Sequence, residues 1–177
     1  MPDADEERTY GGLPGAFPYA FRSSDSRVFR SYAVVSALVT VGVTLLLGLA
    51  LVVLIGNTVG GAGGSLTLSR SFYVLVGLLV VVPMVAPVLL VARRHRRTRS
   101  ETRYDRRLAA AGYLFLASLY AGLVITVPPS QQTPASGPLA PVVDAMYALP
   151  GMAGIVPPLV AALLIGLVHW RSDDSGH

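Results

Sequence analysis

Four long apolar stretches, set apart by polar or turn-forming segments, dominate the pattern of this chain: Tyr32–Ile55, Ser71–Ala92, Leu108–Val127 and Gly151–Trp170. Each runs for 20 to 24 residues without Asp, Glu, Lys or Arg. An α-helix rises about 1.5 Å per residue, so roughly 20 apolar residues cross the hydrocarbon of a bilayer. Lipid offers the backbone no hydrogen-bond partner, which selects helices for such segments. The pattern predicts an all-α fold, a polytopic membrane protein with four transmembrane helices in a bundle. Its parts are an N-terminal segment at 1–31, a transmembrane domain at 32–170 and a tail at 171–177. The N-terminal piece is too short to stabilise a core of its own.

Within the spans the polar positions are small. Ser36, Thr40, Thr44 and Gly48 recur every four residues on the first span, and Ser118, Gly122 and Thr126 on the third. Each series lies along one helix face. Small residues let backbones approach and hydroxyls bond across the contact or back to carbonyls, so both faces are expected to pack against other helices. A polar seam lining a pore, or an oligomer contact, is the sharper alternative. Pro83 and Pro87 lie one turn apart in the second span, where each removes an N–H and predicts a kink.

Between the spans, Gly56–Ser65 is rich in glycine but lacks the lysine of a phosphate-binding loop, and reads as a flexible hairpin. The stretch Pro128–Pro138 is a stiff linker, and the apolar Leu139–Leu149 suits a brief surface helix. Pro157 and Pro158 should push the start of the fourth helix to about residue 156. Residues 1–12 are polar and expected to be disordered. Pro14 and Pro18 discourage a long helix in the segment that follows, whose Phe17, Tyr19 and Phe21, like Trp170 at the end of the fourth span, suit the headgroup zone. These aromatics read as a membrane-surface anchor or as a partner-docking element. Ser23–Ser26 offers caps for a first helix starting near residue 25.

Charge orients the bundle. All 14 basic residues are arginine, and the loop at 93–107 carries Arg93, Arg94, Arg96, Arg97, Arg99, Arg103, Arg106 and Arg107. The N-terminal segment adds Arg8, Arg22, Arg27 and Arg30, and the tail Arg171, whereas the opposite side holds only Arg70 and Asp144. Arginine-rich loops stay cytoplasmic, so both termini are predicted inside, and a cleaved leader is not expected. The arginine loop is read as topogenic and facing lipid headgroups. It lacks the interleaved aromatics of a nucleic-acid surface, so no nucleic-acid partner is expected. Asp105, inside the run, is expected to pair with arginine.

Site chemistry is sparse. Without cysteine there are no disulfides, thiolate metal sites or cysteine nucleophiles. His169 is the one histidine in a span, and no second histidine stands at ligand spacing, so an interface anchor is expected there in place of a metal site. Sequence spacing assembles no Ser–His–carboxylate set and no catalytic carboxylate pair. Neither an enzyme nor a cofactor is expected.

Two stretches carry a resemblance: Gly11–Arg27, reading GGLPGAFPYAFRSSDSR, and Pro83-Met-Val-Ala-Pro87 running into Arg93-Arg94-His95-Arg96-Arg97. On these the chain resembles an uncharacterised four-span membrane protein family of halophilic archaea. The resemblance implies a multi-pass protein of the cell membrane and brings no activity or site residue. The absence of lysine and the acidic ends agree with a halophile. The function expected is a non-enzymatic accessory, scaffold or assembly subunit, with membrane lipids and another membrane protein or a second copy as partners. The alternative is a small oligomeric channel or transporter for an uncharged or weakly selected solute.

Overall fold

A computed structural model describes residues 12–57, 63–97 and 102–174. The expected disordered start, the middle of the glycine hairpin and Arg99 lie outside them. Among the described residues the fold is all-α, with four helices long and apolar enough to cross a membrane. The helices are α1 (Gly12–Ser23), α2 (Arg27–Asn57), α3 (Gly63–Arg97), α4 (Thr102–Ile125), α5 (Ala140–Tyr147) and α6 (Val156–Asp174). Helices α2 and α4 leave from the arginine-rich end, and α3 and α6 return to it.

The starts and stops follow local chemistry. Ser26 Oγ accepts the N–H of Phe29 and so caps α2 three residues ahead. A 3-10 turn at Gly151–Ile155 precedes α6, which then begins at Val156. Pro157 and Pro158 thus fall in its first turn, where a missing N–H leaves no bond unmade. The linker Pro128–Pro138 leads to α5, an eight-residue helix with no buried residue.

Helix α4 is the centre of the bundle and touches α2, α3 and α6. Its buried face runs Tyr104, Asp105, Leu108, Ala109, Gly112, Phe115, Ser118, Gly122 and Ile125. Midway along, Met84, Ala111, Phe115, Ala161 and Ile165 fill the space between α3, α4 and α6. By contrast, none of the most apolar 18 residues of α2 is buried. Leu38, Leu45, Leu46 and Leu49 stand exposed there, as suits a lipid-facing surface.

The N-terminal segment is a three-turn helix, despite Pro18 inside it. Ala16 and Ala20, one turn apart, are fully buried against Phe29 of α2 and Val88, Val91 and Ala92 of α3. Packing overrides propensity here: Pro18 sits on the exposed side, while the alanines let the helix approach closely. Phe17, Tyr19 and Phe21 are half-buried along the edges of the same contact. The aromatics therefore flank the docked face, and alanines form it.

Candidate functional site: the polar clamps at the arginine-rich end

Two consecutive residues of α3, Arg94 and His95, meet two consecutive residues of α4, Tyr104 and Asp105. Helical geometry sends neighbours about 100° apart, so each pair reaches in two directions. On one side the Ser24 hydroxyl, just past α1, donates to Asp105 Oδ2 at 2.5 Å, and His95 Nε2 donates to the same oxygen at 3.0 Å. Ser24 Oγ also accepts the N–H of Ser26. Asp105 is 1 % exposed. A buried carboxylate needs such partners, because leaving it unpaired costs several kcal/mol. This clamp ties the α1–α2 junction to α3 and α4.

On the other side the Arg94 guanidinium lies over the Tyr104 ring, 4.2 Å from its centroid, and Nη2 donates to the Ser172 carbonyl at 3.2 Å. That carbonyl belongs to the last turn of α6, where a cation is favoured. The Tyr104 hydroxyl and His169 Nδ1 share a hydrogen bond of 2.8 Å. The second clamp thus joins α3, α4 and α6. Arg30 secures α1 from outside: its Nε donates to the Phe21 carbonyl and its guanidinium covers the Phe21 ring.

Below the clamps, Tyr32 donates its hydroxyl to the Met84 carbonyl at 2.6 Å. Pro87 has no N–H to offer the carbonyl of Pro83, and its ring crowds that turn. The hydroxyl lands on the next carbonyl along, so it serves the disturbed stretch of α3. The phenol end of Tyr32 crosses Gly112, where an added Cβ would overlap Cζ, and the ring meets that of Tyr113 edge-on at 5.2 Å.

The residues singled out by pattern divide. Ser36 is buried and bonds back to the Ala33 carbonyl, and Ser118 bonds back to that of Phe115. Thr40 is half-buried, with Oγ1 3.4 Å from Met84 Sδ. A Cβ on Gly122 would overlap the Gly154 carbonyl, so two backbones touch there. Thr44 and Gly48, expected on the same packed face as Ser36, are exposed, and nothing lies within 4 Å of a Cβ on Gly48. The reason is that the far half of α2 meets α3 through Leu47, which faces Gly77 and Tyr73, about 100° around the helix from Gly48. Thr126 lies just past α4, exposed, bonded back to Leu123.

Of the arginines, Arg93, Arg96, Arg103, Arg106 and Arg107 are exposed, Arg94 forms the second clamp and Arg97 ends α3. Trp170 is 66 % exposed. Asp105, expected to pair with arginine, has Ser24 and His95 among its partners and continues the buried stripe of α4 from Gly112 and Leu108 toward the arginine-rich end. The stripe was legible at that spacing. His95 lay outside the spans and had no sequence signal.

Spacing assembled no Ser–His–carboxylate set, yet the fold brings Ser24, His95 and Asp105 together. The order corrects that expectation without making a nucleophile. Acyl transfer needs histidine between serine and carboxylate, to take the serine proton. Here the carboxylate stands between the other two and holds both in place.

The chain belongs to a family described as a domain of unknown function (DUF8056), whose model matches residues 1–173. No curated protein and no solved structure matches it.

Proposed function

We propose that this DUF8056 member is a non-enzymatic accessory or assembly subunit of the cell membrane. Its termini and arginine-rich end face the cytoplasm, and α1 is held there as a built-in cap. Orientation rests on the arginine bias, which keeps such loops inside. The lysine-free composition and acidic ends support a halophilic archaeal setting.

The observation that carries the scaffold reading is the filling of the bundle interior. Tyr32, Met84, Phe115 and Ile165 occupy it, each at most 3 % exposed. The buried hydroxyls of Ser36 and Ser118 are turned back onto their own helices. A solute path through one chain would need polar groups facing an open centre. The clamps are built to position helices, and their charge is engaged within the chain. The docked α1 leaves Phe17, Tyr19 and Phe21 partly exposed, a mixed aromatic and arginine surface suited to a second membrane protein.

The oligomeric-channel reading draws on a separate observation, the exposed Thr44 and Gly48 on α2. Reconstitution into liposomes discriminates the two. Swelling in glycerol at the rate of empty vesicles supports the scaffold reading, as does recovery of a second membrane protein after gentle extraction from native membranes. Accelerated swelling that a bulky residue at Gly48 abolishes would replace it with the channel.

A further inference from the structure

The exposed charge at the arginine-rich end is unbalanced. Among the described residues the acids there are Asp25, exposed, Asp105, buried and already engaged by Ser24 and His95, and Asp173 and Asp174 in the last turn of α6, against eleven arginines. Arg27 of α2 and Arg106 of α4 are both exposed, and neither has a hydrogen-bond or carboxylate partner among the described residues. They are not scattered over the surface. The Tyr113 hydroxyl donates to Ser31 Oγ at 3.0 Å, joining α4 to α2 at an exposed point of their shared seam. Ser31 in turn donates to the Val28 carbonyl.

Register places the arginines on this seam. Arg27 precedes Ser31 by four residues and Arg106 precedes Tyr113 by seven, so each lies on the same helical stripe as the hydroxyl, one and two turns nearer the arginine-rich end. In the other direction the stripes turn apolar. Leu38 continues that of α2 at 70 % exposure, and Ala117 and Tyr120 continue that of α4, all exposed. The seam therefore offers, in order, two guanidinium groups, a hydroxyl pair and an apolar trough. Guanidinium groups pair with phosphate oxygens through two parallel N–H bonds, and hydrated apolar surface is covered most readily by acyl chain.

We propose that the α2–α4 seam is a binding site for one anionic phospholipid. Its headgroup phosphate lies between Arg27 and Arg106, over the Tyr113–Ser31 pair, and one acyl chain lies along Leu38 and Ala117. A free phosphate matches only the first part of this surface, and a zwitterionic lipid carries an ammonium group toward the arginines.

Native mass spectrometry of the full chain in detergent tests the site, with phosphatidylglycerol and phosphatidylcholine of identical acyl chains as probes. A basic side chain near a membrane surface is worth about 1 kcal/mol toward anionic lipid, so two predict a preference of roughly tenfold or more for phosphatidylglycerol. Arg27→Gln with Arg106→Gln should abolish that preference. Arg22→Gln with Arg93→Gln removes the same charge from exposed positions elsewhere and should keep it. All four side chains are exposed, and unchanged helicity is the check on folding. Inorganic phosphate at about 10 mM should leave the lipid bound, because the chain is seated as well. Equal retention of the two lipids would overturn the proposal. So would equal loss in both double variants, which would mean diffuse attraction, or displacement by phosphate alone.

Discussion

Ser24 and Asp105, 81 residues apart in sequence, share a buried hydrogen bond of 2.5 Å, and this contact holds the N-terminal helix to the bundle. The carboxylate oxygen that receives Ser24 also receives His95, so three chain segments meet on one atom. Asp105→Ala should leave the buried Ser24 hydroxyl and the part-buried His95 N–H without this acceptor. The expected loss is about 1–3 kcal/mol, read as a lower unfolding midpoint in detergent. Ser24→Ala in the Asp105→Ala background should add little, since the shared contact is already gone. Additive losses would show that the two residues act separately.

Docking of α1 depends on close approach at Ala16 and Ala20. Ala20→Leu should lever the helix away from α3 and expose the chain to trypsin near Arg22. Phe21→Ser, at a half-buried edge, should do so less. Overpacking a filled contact typically costs about 1–3 kcal/mol. Faster cleavage in Phe21→Ser than in Ala20→Leu would place the holding force in the aromatics.

Two glycines should be intolerant of even a methyl group, and a third indifferent. Gly112→Ala collides with the Tyr32 ring, whose hydroxyl is fixed on Met84, and Gly122→Ala collides with backbone at Gly154. Each should lower the unfolding midpoint. Gly48→Ala meets open space and should leave the midpoint of the single chain unchanged. A loss at Gly48 comparable to that at Gly122 would reveal a contact between copies along α2.

The Tyr32 hydroxyl gives a smaller, cleaner test. Tyr32→Phe removes only its bond to the Met84 carbonyl and should cost about 0.5–1.5 kcal/mol. Pro87→Ala restores an N–H to the Pro83 carbonyl and not to that of Met84, so the penalty should persist in that background. A penalty that vanishes there would mean that the hydroxyl acts on the proline turn as a whole and not on one carbonyl.

The parts of this architecture that depend on chain-local physics were legible from sequence. Span length, the Ser26 cap, the short α5 and the proline-delayed start of α6 all follow from residues within one turn of the feature. The Ser36 and Ser118 positions were legible too, from four-residue spacing. That same spacing was misleading at Thr44 and Gly48, because a small-residue stripe marks where packing is possible and not how far the partner helix follows. Gly112 falls on the buried stripe of α4, but its intolerance of a side chain exists only because Tyr32 crosses it. The clamps were hidden for a different reason. His95 and Asp105 sit among arginines, where electrostatics suggests solvated pairs, and only the tertiary approach of Ser24 makes the site buried. In α1 the aromatics drew attention by their size, while the burial went to two alanines.

The central claim is a four-span bundle whose arginine-rich end, with its own docked helix, faces the cytoplasm. Because the chain has no cysteine, single-cysteine labelling addresses it directly. Arg22→Cys and Thr133→Cys both fall at exposed positions, on α1 and in the linker after α4. A membrane-impermeant maleimide should label Arg22→Cys in inside-out vesicles alone and Thr133→Cys in right-side-out vesicles alone. Labelling of both from the same side would contradict the four-span arrangement, and the reverse pattern would contradict the inward placement of the arginines.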